Sequence, residues 1–251
     1  MDFIIEIKLL FIYFLVITKF IIEFILPFCF IKNYTQTIFF NILLKVLFKK
    51  IEITGDIPNE ENRNGTIFIS NHYSYEEGTF LQSYLDNLYV IAKDDVFNSN
   101  MNNYFMNKLS NIIYNSFNWI PYIRGNKNSG KNVRKEIVDK IKNKNNILIF
   151  PEGTSTRDGP PKKFYNGVFE ICEENKFKLI PVAFYCHPNI GVRRGDKINL
   201  RNDLKKNPIL HIHFFQNINN NYIKSNEMNE LAHKLITDKI NEIIDSKSIY
   251  I

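Results

Sequence analysis

Hydrophobic positions divide the chain into two textures. From Leu9 to Ile31 they run almost unbroken, interrupted only by Thr18, Lys19, Glu23 and Pro27. From about residue 50 onward, short apolar runs alternate with longer segments of helical periodicity, the mark of a layered α/β domain. The pattern predicts strands over 66–70, 88–93, 119–124, 147–150, 179–185 and 209–215. It predicts helices over 75–86, 96–114, 131–142, 164–174 and 227–245, with polar loops at 59–65 and 201–207. No internal repeat or linker divides this part, so two units are expected: residues 1–50 and a domain over 51–251.

The first unit has the length of a membrane span, for which about 20 apolar residues suffice. Lys19 and Glu23 stand at i and i+4 and can pair on one face; either alone would be costly at the bilayer centre. Pro27 should break or kink the helix. The acidic start (Asp2, Glu6) and the lack of a small-residue cleavage site argue against a signal peptide. Residues 38–50 are apolar but carry Lys45, Lys49 and Lys50, as suits a helix leaving at a cytosolic lipid surface. The expectation is a helical hairpin embedded in one leaflet, or a single tilted span, with the larger domain facing the cytosol. A helix buried in a soluble fold is the alternative, and so many aromatics would then require a large covering surface.

Composition narrows the partners. A hydrophobic content of 45% excludes a disordered chain, and a net charge of +6 favours an anionic partner. No arginine-rich helix, zinc-knuckle spacing or basic-aromatic strand motif directs that charge to nucleic acid. Cys29, Cys172 and Cys186 are too few and scattered for a disulfide framework or a zinc site and read as reduced thiols.

Two places carry candidate chemistry. Asn71-His72 follows the run Thr66–Ser70, with Glu77 five positions after the histidine. A histidine beside a carboxylate can take a proton from an alcohol. The pair works only if His72 lies in the loop and Glu77 in the first helical turn. The same residues admit a capped helix start, with Ser74 and Glu77 as a capping box and His72 a bystander; both readings stay open. Downstream, Phe150-Pro151-Glu152-Gly153-Thr154 turns out of another apolar run, where backbone N–H groups can face an anion. Arg124 and Lys93 each end a strand-like run and could hold phosphate, or simply be exposed charges. His211 and His213 alternate on one strand face without a third ligand and read as sheet residues. Gly125 to Asn132 nearly fits a nucleotide phosphate loop, but Asn132 stands where a Ser or Thr must hold magnesium.

Taken in order, these elements resemble the glycerolipid acyltransferase family, which includes the lysophosphatidate acyltransferases. Asn71-His72 with Glu77 is similar to its Asn-His-x4-Asp block, and Trp119 to Arg124 to its arginine-ended second block. Phe150 to Thr154 matches its Phe-Pro-Glu-Gly-Thr block, Ile180-Pro181-Val182 resembles the fourth, and Lys93 falls where the family has a lysine. The resemblance implies a mixed, largely parallel central sheet flanked by helices, as in glycerol-3-phosphate acyltransferases. It also implies roles: His72 as general base, Glu77 orienting it, and Lys93, Arg124, Glu152, Gly153 and Thr154 binding the acceptor. Acyl-CoA would be co-substrate, with no metal or other cofactor, and membrane lipids the surroundings. Two departures stand out, Glu77 for the usual aspartate and Ser155 for a frequent arginine.

The expected function is acylation of lysophosphatidate to phosphatidate in phospholipid synthesis. Another lysophospholipid or glycerol 3-phosphate as acceptor is the alternative, and a catalytically silent lipid-binding module the third.

Overall fold

The computed structural model describes residues 2–25, 29–59, 64–73, 77–85, 87–93, 117–123, 125–156, 159–188, 200–219 and 223–248. Two helices, α1 (Asp2–Ile25) and α2 (Cys29–Leu47), precede the sheet. Strands β1 (Lys50–Gly55) and β2 (Thr66–Ser70), helix α3 (Glu77–Leu81) and strands β3 (Leu88–Lys93) and β4 (Trp119–Tyr122) follow. The chain continues through α4 (Lys127–Lys142), β5 (Asn146–Ile149), α5 (Gly167–Asn175) and β6 (Lys178–His187). Helix α6 (Leu200–Lys206), β7 (Ile209–Phe214) and α7 (Ser225–Ser248) complete it.

The seven strands among the described residues form one mixed sheet in the order β1-β7-β6-β2-β5-β3-β4. Strands β6, β2, β5, β3 and β4 are parallel; β7 runs antiparallel to β6, and β1 parallel to β7. The expected mixed, largely parallel sheet is therefore the one observed. β2 is buried at all five positions, as a central parallel strand covered on both faces must be. β7 alternates half-buried with buried residues, because only one of its faces is fully covered. Helix α7 lays Met228, Ala232, Ile236, Ile240 and Ile243 into the core, a stripe at helical spacing.

Several boundaries differ from expectation. Residues 201–207, expected as a loop, lie largely in α6, where the buried Leu204 anchors an otherwise polar turn. β1 was not expected; its Ile51 and Ile53 alternate with polar residues and pack against the core. The expected helix over 96–114 and the Ser74 cap lie outside the described residues. The phosphate-loop look-alike is the start of α4: the Asn126 side chain caps it, accepting from the N–H groups of Asn128 and Ser129.

The N-terminal expectation needs a correction. Among the described residues, no helix is long and apolar enough to cross a membrane, so the single tilted span is not found. The physical reason lies in the charges of α1. Lys8 donates to the carbonyl of Val46 at 3.1 Å, which folds α1 back along α2 as a hairpin. Lys19 is buried, its Nζ 4.5 Å from the ring centroid of Phe117. The expected Glu23 partner has no described side chain. With Ile5, Ile12 and Lys19 turned inward, Phe3, Ile7, Leu10, Phe14, Ile17 and Ile21 face outward. The hairpin shares the core of the sheet domain through Leu44, Leu47 and Phe48.

Candidate active site

The parallel strands β2, β5 and β3 lie side by side, so the segments leaving them emerge at one edge. Such carboxyl edges are where open α/β sheets hold ligands. His72 leaves β2, Glu152 follows β5, and Lys93 ends β3 there.

His72 stays outside the helix and Glu77 begins it, as the base reading requires. The His72 Nδ1 is 2.8 Å from Oε2 of Glu77. Glu77 is fully buried, whereas the His72 side chain is 17% exposed, so the imidazole reaches solvent and the carboxylate does not. Helix α3 sits tight on β3 because residue 78 is glycine: a Cβ there would come within 2.9 Å of Val90 Cγ1.

The turn after β5 packs directly on this pair. The Phe150 ring stacks on the His72 imidazole, centroids 4.4 Å apart and planes 21° from parallel. Glu152 is buried; its Oε1 accepts the His72 backbone N–H at 2.7 Å and its Oε2 that of Lys162 at 2.8 Å. The Thr156 N–H donates to the His72 carbonyl at 2.7 Å. Gly153 adopts φ 62°, a left-handed conformation that favours glycine, and its N–H turns back to the Phe150 carbonyl at 3.1 Å. Gly153 and Thr154 are both exposed at this rim.

Asn71 had no assigned role from sequence. Its side chain accepts from the Phe184 N–H and donates to the Phe184 carbonyl, both at 2.8 Å. It thereby locks the exit of β2 to β6, 113 residues away. Lys93 is partly buried at the end of β3, while Arg124 lies outside the described residues. His211 and His213 are indeed sheet residues: His211 Nδ1 pairs with Glu52 Oε2 at 2.8 Å, and His213 Nδ1 meets Thr54 Oγ1 at 2.8 Å. Among the described residues, no group of three or more His, Cys, Asp or Glu side chains could hold a metal ion. Cys172 and Cys186 are buried and outside any disulfide, and burial pushes the Cys172 thiol up to about 12.

A histidine backed by a buried carboxylate at a sheet's carboxyl edge is an arrangement capable of general-base chemistry. A model of the Acyltransferase family matches residues 50–185, just over half of the chain, and the chain belongs to that family. It is an acyltransferase. No curated protein sequence matches. Among solved structures, the chain is similar to the 1-acyl-sn-glycerophosphate (LPA) acyltransferase PlsC from Thermotoga maritima. The two share 16% sequence identity over 95% of each chain, with a TM-score of 0.62, a likeness of fold.

Proposed function

We propose that this protein acylates the free hydroxyl of lysophosphatidate from acyl-CoA to give phosphatidate, with His72 as general base. The observation that carries the reading is the 2.8 Å contact between His72 Nδ1 and the buried Glu77 carboxylate. A carboxylate on Nδ1 holds the proton there and leaves the basic lone pair on Nε2. Nε2 then takes the proton of the acceptor hydroxyl as its oxygen attacks the thioester carbonyl. The tetrahedral intermediate collapses, the C–S bond breaks, and His72 returns the proton to the departing coenzyme A thiolate. General-base help contributes roughly 10²–10⁴-fold, so positioning supplies much of the remainder.

Lys93, with Arg124 and Thr154, would bind the acceptor's phosphate at the rim, where the exposed Gly153, lacking a side chain, would let it approach. The outward apolar face of α1, with Leu10 69% and Phe14 62% exposed, supports a hairpin lying in one leaflet of a membrane. The acceptor lipid would then reach the site without leaving the interface, with the domain on the cytosolic side.

Ser155, in place of a frequent family arginine, keeps larger head groups and glycerol 3-phosphate in contention. Purified protein assayed for coenzyme A release against a panel of lysolipids and glycerol 3-phosphate tests the reading. Highest kcat/KM with lysophosphatidate is expected. Preference for another lysolipid would replace the acceptor, and no release with any acceptor would leave a silent lipid-binding module.

A further inference from the structure

Glu152 entered the site as an expected substrate-binding residue, and its surroundings point elsewhere. The residue is 3% exposed, and each carboxylate oxygen already accepts a backbone N–H, from His72 at 2.7 Å and from Lys162 at 2.8 Å. A buried carboxylate is tolerated only when such charge-assisted bonds replace its water. It presents no donor to an anion, and its own charge would repel an acceptor phosphate at close range.

What the carboxylate does hold is the base. The single turn after β5 meets His72 at three places: Glu152 at its N–H, Thr156 at its carbonyl and Phe150 against the face of its ring. Glu77 fixes the fourth, Nδ1. The peptide of a loop residue is thereby clamped on both sides, and the imidazole is confined between a ring and a carboxylate. Pro151 stiffens the same turn, its carbonyl accepting the Tyr165 N–H at 2.9 Å. Lys162, the other end of the Glu152 bridge, ties the segment before α5 to the same point.

We infer that Glu152 is a positioning residue that sets His72 against the acceptor hydroxyl, and is not a ligand of the acceptor's phosphate. The inference rests on His72 being the base. A general base must approach its proton to within hydrogen-bond reach, and a displacement of about 1 Å can cost roughly 10²-fold in rate.

The test is Glu152→Gln in the full-length protein, measured beside His72→Ala. The amide keeps the volume but offers one acceptor and one donor, so only one of the two N–H groups retains a partner. A fall in kcat of roughly 10²-fold, with the acceptor KM unchanged, is expected. The imidazole resonances of His72 should shift in NMR spectra of the labelled variant while its circular dichroism stays native. A rise in acceptor KM at preserved kcat would make Glu152 a phosphate ligand and overturn the inference. Unmoved His72 resonances in a folded variant would overturn it as well. Should the glutamine variant not fold, Glu152→Asp keeps the charge but is too short to reach both donors; the same split between kcat and KM decides. Turnover retained in His72→Ala would instead remove the base itself, a failure distinguishable from that of Glu152.

Discussion

The Nδ1 of His72 lies 2.8 Å from Oε2 of Glu77, although five positions on a regular helix would turn the two side chains about 140° apart. The contact exists because His72 belongs to the loop leaving β2, and α3 begins at Glu77. Glu77→Gln preserves the shape but lets an amide N–H donate to Nδ1, which moves the ring proton to Nε2, the wrong tautomer for a base. A fall in kcat of roughly 10²–10⁴-fold at unchanged acceptor KM is expected from steady-state coenzyme A release. Activity within about threefold of the parent would contradict the assigned role. Glu77→Asp withdraws the carboxylate by one methylene, and a large loss there would show that the site is built around the longer side chain.

Lys93 closes β3 at the edge where His72 and Glu152 emerge. As a phosphate ligand it should affect binding more than chemistry. Lys93→Ala is expected to raise the KM for lysophosphatidate about tenfold or more, the worth of one charge-assisted hydrogen bond, with little change in kcat. Kinetics with an uncharged acceptor such as a monoacylglycerol provide the control. An equal effect on both acceptors would remove Lys93 from the phosphate site.

The sequence pattern located best the strands that are short, mostly apolar runs. Thr66–Ser70, buried throughout, and Leu88–Lys93, partly buried, have the predicted ends. It did worse where one tertiary contact decides. Burial of Leu204 turns a lysine-rich stretch into α6, and Gly130 within α4 disguised a helix already capped by Asn126. Within the site, His72, Glu77 and Glu152 were visible as chemical types. The bonds from Asn71 to Phe184 and from Glu152 to His72 were not, because they span 113 and 80 residues and depend on which strands become neighbours. The outward face of α1 was also out of reach: only packing shows that Lys8 and Lys19 turn toward the protein.

That outward face makes a prediction about lipid. Phe14 and Ile17 are 62% and 59% exposed, so aspartate can replace either without opening the core. Burying one such side chain is worth about 1.5–3 kcal/mol, which corresponds to roughly tenfold or more in partitioning. Phe14→Asp and Ile17→Asp should each weaken co-sedimentation with phospholipid vesicles by at least about that factor. Native circular dichroism should be retained. Unchanged vesicle binding would show that α1 does not face the membrane.

His213 predicts a pH dependence of stability away from the active site. Burial, and next the Lys239 ammonium, hold its imidazole below the usual 6.5, against the opposing pulls of Glu242 and Asp56. The folded state therefore binds this proton less readily than the unfolded chain. Its stabilising contribution is full above about pH 6.5 and is lost as pH falls through the lower folded value. Urea denaturation of the parent and of His213→Gln should show a stability difference that shifts in favour of the variant as pH falls from 8 to 5. A difference independent of pH would contradict the shift.

The central claim is that His72 takes the proton of the acceptor hydroxyl. Single-turnover acyl transfer from acyl-CoA to lysophosphatidate by purified His72→Ala, bound to vesicles as the parent is, tests it most directly. The account predicts that transfer falls to background while acyl-CoA and vesicle binding persist. Transfer at a rate near that of the parent would contradict it.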